Sequence, residues 1–251
     1  MERKPKEIKA IIKSYWDAAA DEWENKIGDR GDLFRQHKIT PLIFDLLPEC
    51  EGKTVLDVGC GNGYLIPMLN NKGFAAYGLD ISPRQLFHAQ KRVAKDCLYE
   101  TDIEKIETLP SKKCDIVICS MVLDGLQNLY AAFRGCYRLL KQRGYLIITL
   151  PHPAHYLEFG KFKKRVSRHK YPEELQLEAV MTKMKKTVIF FHRPIRSYVN
   201  ALIDNGFFIR KMVEPATPIE IKKFRKQTGR KAMPSYFLGI LAIKGVAKTK
   251  R

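Results

Sequence analysis

From residue 54 onward the chain alternates short apolar runs with stretches of helical periodicity. TVLDV at 54–58 predicts a short strand, followed by a glycine-rich turn and a helical pattern over 63–71. FAAYGLD at 74–80 predicts a second strand. Pro83 then opens a helix through about Lys95, a first-turn position that favours proline. CLYETD (97–102) is a weaker strand, CDIVICS (114–120) a strong buried one, 128–141 a helix and GYLIITL (144–150) a fifth strand. Strands separated by helices need crossover connections, which predicts an α/β fold: a parallel sheet with helices on both faces. After residue 150 the pattern loosens, and KTVIFFH (186–192) looks extended again. A helix over 194–205 ends at Asn205-Gly206, where glycine suits a left-handed cap. FFIRKMVE (207–214) and YFLGILAIK (236–244) read as the last two strands. Ahead of this alternation, residues 7–27 form an amphipathic helix carrying Tyr15, Trp16 and Trp23.

Composition narrows the picture. At 251 residues, 45% apolar and 29% charged, the chain suits one α/β domain with a modest elaboration. A disordered chain and a polytopic membrane protein are excluded, because no run approaches the roughly 18 apolar residues of a membrane-spanning helix. The charged start, MERKPKEIKA, lacks the apolar stretch of an export signal, so a cytoplasmic protein is expected. Six cysteines without a C-x-x-C pair read as buried reduced thiols, and no metal site is expected. The net charge of +18 is uneven: residues 1–150 carry +2 and residues 151–251 carry +16. Such asymmetry points to an anionic partner on that side, or to a lysine-rich exterior that serves solubility. Two basic stretches, 151–190 and 215–235, contain most of it.

The candidate chemistry centres on Val55-Leu56-Asp57-Val58-Gly59-Cys60-Gly61-Asn62-Gly63, between a strand and a helix. Glycines there allow a sharp bend and a close approach of ligand to backbone. In an open parallel sheet, ligands bind beyond the carboxyl ends of the strands. The dinucleotide pattern G-x-G-x-x-G is not met, because Tyr64 occupies the third position and the glycine falls early, at Gly63. Asp57 at the strand's end would oppose a pyrophosphate but suit a sulfonium and an ammonium. Asp80 ends the second strand, where a carboxylate can accept hydrogen bonds from ribose hydroxyls. This spacing favours S-adenosylmethionine over NAD.

With these residues the chain resembles the class I S-adenosylmethionine-dependent methyltransferases, well over 10–150 and more thinly to 244. Within them it resembles the small-molecule branch of ubiquinone and menaquinone biosynthesis. The resemblance implies a Rossmann-like, doubly wound sheet of seven strands, mostly parallel, with the last strand inserted antiparallel. It implies one methyltransferase domain over 1–251, with 7–27 as a helical lid and the two basic stretches as acceptor-side insertions. It implies S-adenosyl-L-methionine as cofactor, held by Asp57, Gly59, Gly61 and Gly63, by Asp80 with Ile81, by Asp102 with Ile103, and by Ser120 at the end of the fourth strand. Tyr15 and Trp16 would cover the cofactor and Arg35 would pair with its carboxylate. Structural alternatives stand beside several of these: Asp102 as an ordinary loop acid, Tyr15 and Trp16 as core aromatics, Arg35 as a surface arginine.

Methyl transfer is an in-line displacement that alignment alone can accelerate, and a base is needed only when the acceptor must lose a proton. His152 and His192 are the candidate catalytic bases, with His155 nearby; the alternative is that they brace loops. Asp124 could orient an acceptor or cap a helix. The expected acceptor is a small molecule, plausibly anionic, with RNA (tRNA or rRNA) second. A catalytically inactive cofactor-binding regulatory module is the alternative from another class. The sequence leaves the oligomeric state open.

Overall fold

The computed structural model describes residues 4–108, 114–154, 167–180, 186–215 and 237–245, together with Leu157, Phe162 and Lys226. Strands β1 (Thr54–Val58), β2 (Ala75–Asp80), β3 (Leu98–Glu100), β4 (Cys114–Ser120) and β5 (Leu140–Pro151) pair in parallel. β9 (Phe237–Lys244) enters antiparallel between β5 and the edge strand β8 (Phe207–Val213). The sheet order is β3-β2-β1-β4-β5-β9-β8, the seven-stranded, mostly parallel arrangement with the last strand inverted.

Each central strand is apolar on both faces because both faces are covered. On one side Leu56, Val58, Val117, Cys119, Leu146 and Ile148 pack with Phe133 and Cys136 of α5 (Leu129–Leu139) and with Tyr198 and Leu202 of α6 (Ile195–Asp204). On the other, Val55, Ile116, Ile118 and Ile147 pack with Leu42, Ile43 and Leu46 of α2 (Thr40–Leu46) and with Leu65, Ile66 and Leu69 of α3 (Leu65–Asn70). Consecutive strand residues therefore go to opposite cores. Burying a side chain of this kind contributes about 1.5–3 kcal/mol, and that sum is what fixes the sheet's register.

Helix α1 (Pro5–Ile27) lies across the carboxyl edge of the sheet, against α4 (Pro83–Ala89). α4 stops at Ala89, short of the expected Lys95, and Gly206 takes the left-handed φ of 84° that ends α6. The larger departure is in the segment that reads as loose. LQLEA forms β6 (Leu175–Ala179), which pairs antiparallel with β7 (Val188–His192) in a second, two-stranded sheet. Only Leu177 and Ala179 of β6 are buried, a hydrophobic signal too thin to announce a strand. β7 supplies the larger share, Val188, Ile189 and Phe190, and packs against α1.

None of the six cysteines is in a disulfide; Cys60, Cys114, Cys119 and Cys136 are buried, while Cys50 and Cys97 are only partly so. Among the described residues no helix is long and apolar enough to cross a membrane. The basic runs KFKKRVSRHK, KMKK and IKKFRKQTGRK lie mostly outside the described residues, as does His155.

Candidate active site

The site begins where β1 turns. Gly59 and Cys60 donate their backbone N–H groups to the carbonyl of Leu79, at 2.7 and 3.0 Å, which locks the turn to the end of β2. Gly59 has φ of 72°, and a β-carbon there would lie 2.5 Å from Val122 Cγ2. No side chain fits, so the bend stays open to a ligand. At the end of β2, Asp80 turns its carboxylate back onto the turn: Oδ2 accepts from Gly61 N at 2.8 Å and Oδ1 from Ser82 N at 2.9 Å. Burial raises the pKa of this carboxyl, and the two backbone donors counter that rise. Each oxygen retains a lone pair for a further donor. Ser82 caps α4, accepting from Gln85 N at 3.1 Å. Asp80 is therefore not needed as the cap.

Above this edge is a cavity. Its floor holds Gly59, Gly61, Asp80 and Ile81; Asp102, Ile103 and Glu104 stand at one end. The end of β4 adds Ser120, Met121, Val122 and Asp124. Met121 has φ of 56°, a left-handed backbone rarely adopted by such a side chain, at the point where the strand leaves the sheet. The roof is α1, with Lys9, Ile12, Trp16 and Trp23, joined by Phe190 of β7.

Charge pairs hold the roof. Lys9 Nζ contacts Asp102 and lies 3.1 Å from Glu104 Oε2. Burial alone would lower the Lys9 pKa, but these two carboxylates raise it. Lys13 donates to the carbonyl of Ile81 at 3.0 Å, and Asp17 accepts from Ser82 Oγ at 2.7 Å. Asp21 meets His88 at 2.7 Å and Arg84 at 3.0 Å. Glu24 binds Arg92 at 2.9 Å and Asn62 at 2.7 Å. Burial pushes the Glu24 carboxyl up, and Arg92 and Asn62 outweigh it, holding the pKa at about 2.

The sequence-predicted residues divide between cavity and support. Gly59, Gly61, Asp80, Ile81, Asp102, Ile103, Ser120, Trp16 and Arg35 line the cavity. Arg35 lies with its guanidinium 5.1 Å from the Trp23 ring and 3.3 Å from Asp32 Oδ2. Asp102 faces the cavity but is engaged by Lys9. Five other residues do not line it. Asp57 is 3% exposed beneath the turn, and burial, with the charge of Asp80, pushes its pKa up to about 7. A β-carbon on Gly63 would meet Ala89 Cβ at 3.0 Å, so this glycine serves the contact with α4. Tyr15 is a core aromatic, packed edge-on to Trp16 and against Val188 and Phe190. His152 is engaged at both ring nitrogens, by Glu214 and by Ala154 N. His192 shares a hydrogen bond of 3.0 Å with the carbonyl of Tyr171 and tilts over that ring, and burial lowers its pKa. The histidines brace the loops beyond β5 and β7.

Sequence reasoning missed Lys9, Trp23, Gln85, Glu104 and Phe190. The positions of Lys9, Ile12, Trp16 and Trp23 at helical spacing were available as a signal; nothing local marked Gln85 or Phe190.

A family model described as a methyltransferase domain matches residues 56–148. Residues 56–148 thus carry a domain of the class I S-adenosylmethionine-dependent methyltransferase family. It is 30% identical over 152 residues to a ubiquinone biosynthesis O-methyltransferase of Alkalilimnicola ehrlichii, covering 57% of this chain and 60% of that one. It thus spans about three fifths of the length of such relatives. An uncharacterised Haemophilus influenzae protein is 27% identical over 191 residues, 70% of this chain and 75% of its own. Among solved structures, an S-adenosylmethionine-dependent methyltransferase of Mesorhizobium loti superposes with a TM-score of 0.67 at 25% identity, covering 81% and 96% of the two chains. A Listeria monocytogenes structure shares the fold, with a TM-score of 0.67 at 24% identity over 83% and 97%.

Proposed function

We propose that this methyltransferase-family chain transfers a methyl group from S-adenosylmethionine to a small-molecule acceptor in the cavity beneath α1. The observation that carries the reading is Asp80, wired to Gly61 and Ser82, facing a glycine bend that no side chain can fill. Such a carboxylate repels a diphosphate and accepts hydrogen bonds from hydroxyl groups. The residues present fit the nucleoside: Asp80 for the ribose, Gly59 and Gly61 as the cradle, Ile81 and Ile103 as apolar walls, Arg35 for a carboxylate. When bound, the cofactor supplies an electrophilic methyl on a sulfonium.

The rest of the task falls to the chain. Trp16, Met121, Val122, Leu126 and Phe190 form an apolar wall that excludes water and favours a flat apolar acceptor. Asp124 lines the same region and is the acid placed to orient or deprotonate it, a role that His152 and His192 do not reach. Alignment is the main catalytic effect. The names of the ubiquinone relatives support an aromatic oxygen acceptor. The +16 charge of residues 151–251 favours an acceptor that is itself anionic. Calorimetric titration with S-adenosylhomocysteine tests the reading. Wild type should bind, and Asp80→Ala should weaken binding by about 1.5–3 kcal/mol per charged hydrogen bond lost. An unchanged dissociation constant would remove Asp80 from the site.

A further inference from the structure

Gln85 is 2% exposed, lines the cavity, and has neither amide atom hydrogen-bonded within the described structure. A buried primary amide has two donors and an acceptor with two lone pairs, and buried polar groups in folded proteins are nearly always satisfied. Its backbone is accounted for, since Gln85 N donates to Ser82 Oγ in the cap of α4. The side chain is left over. Its place is narrow: a β-carbon on Gly61 would lie 3.7 Å from Gln85 Oε1 and 3.9 Å from Trp23 Nε1. Gly61 is the residue whose N–H is bonded to Asp80 Oδ2. The amide therefore stands beside the carboxylate assigned to the ribose, on the side of the glycine turn, and away from the Asp102 end.

We propose that Gln85 is a second ribose-reading residue, whose amide oxygen accepts from the hydroxyl nearer the glycine turn while Asp80 holds the other. The inference rests on the functional reading given above. Each oxygen of Asp80 already receives one backbone N–H, so the hydroxyl nearer the turn gains from an acceptor of its own. An amide beside it adds a neutral acceptor without adding a second buried negative charge.

The test compares wild type with Gln85→Met, which keeps the length of the side chain. Dissociation constants are measured for S-adenosylhomocysteine, 5′-methylthioadenosine and the 2′- and 3′-deoxy forms of S-adenosylhomocysteine, with melting temperature as the check on folding. Gln85→Met should weaken the first two ligands equally, by about tenfold, because both carry the intact ribose. With one deoxy ligand the loss should vanish. Loss confined to S-adenosylhomocysteine would assign Gln85 to the amino-acid end and overturn the proposal. An equal loss for all four ligands, or none, would also overturn it. If wild-type protein binds none of them, the functional reading itself fails, whereas a silent Gln85→Met on a binding-competent protein removes the ribose role alone.

Discussion

Asp57 carries the most testable chemistry of any single residue. Its folded-state pKa of about 7 lies above the ordinary carboxylate value because burial and Asp80 both disfavour its charge. The native chain therefore keeps a proton that the unfolded chain has released. Stability at this position is unpenalised below about pH 4, falls as the pH rises toward 7, and is lowest above it. Asp57→Asn removes the titration, so its melting temperature relative to wild type should climb between pH 5 and 8. A constant difference across that range would place the proton elsewhere. Gly59 gives a second prediction. Alanine there requires both a left-handed backbone and overlap with Val122, so Gly59→Ala should destabilise by about 1–3 kcal/mol in a denaturant titration. At this scale the sequence showed the glycines and acids but not their orientation. Asp57 and Asp80 look equivalent in a string of letters, and the register even puts them on the same face of the sheet; what separates them is that Asp57 lies one residue inside β1, under the turn, whereas Asp80 is the last residue of β2, at the cavity.

Among elements, α1 covers the cavity. Its polar positions Lys9, Lys13, Asp17, Asp21 and Glu24 form one charged seam against α4 and the loops after β2 and β3, alongside the apolar positions that roof the cavity. Lys9→Met should cut the seam at the Asp102 end and speed release of bound S-adenosylhomocysteine about threefold to tenfold in stopped-flow traces. At the other end, the pKa of about 2 for Glu24 means that its stabilisation is complete above about pH 4.5 and is lost as the pH falls toward 2. Glu24→Gln should flatten the fall in melting temperature over that range. The helix was legible in advance as an amphipathic element with aromatic residues. Its grip was not, because Lys9 and Asp102 are 93 positions apart and only the folded sheet brings them together. The β6–β7 hairpin was half legible: VIFFH is apolar enough to read as a strand, whereas LQLEA depends on its partner.

For the whole molecule, the strands themselves follow the apolar runs closely, because strands covered on both faces need continuous apolar sequence, whereas the inverted β9 was legible only through the resemblance. The acceptor was the least legible part. The cavity wall proposed to face it comes from β4, α1 and β7, three elements far apart in sequence, and no local motif encodes their convergence. Labelled methyl transfer into fractionated small molecules and into RNA separates the two acceptor classes. Incorporation should appear in the small-molecule fraction. Incorporation into RNA that falls steeply between 50 and 200 mM salt would instead assign the positive charge of residues 151–251 to a nucleic acid. The seam over the cavity also bears on how the protein is handled. Oppositely charged side chains near a surface lose their hold as electrolyte rises. Protein purified from dilute buffer should carry a nucleoside from the cell through every column, visible as excess absorbance at 260 nm. A wash in molar sodium chloride should strip that passenger and leave material ready for titration.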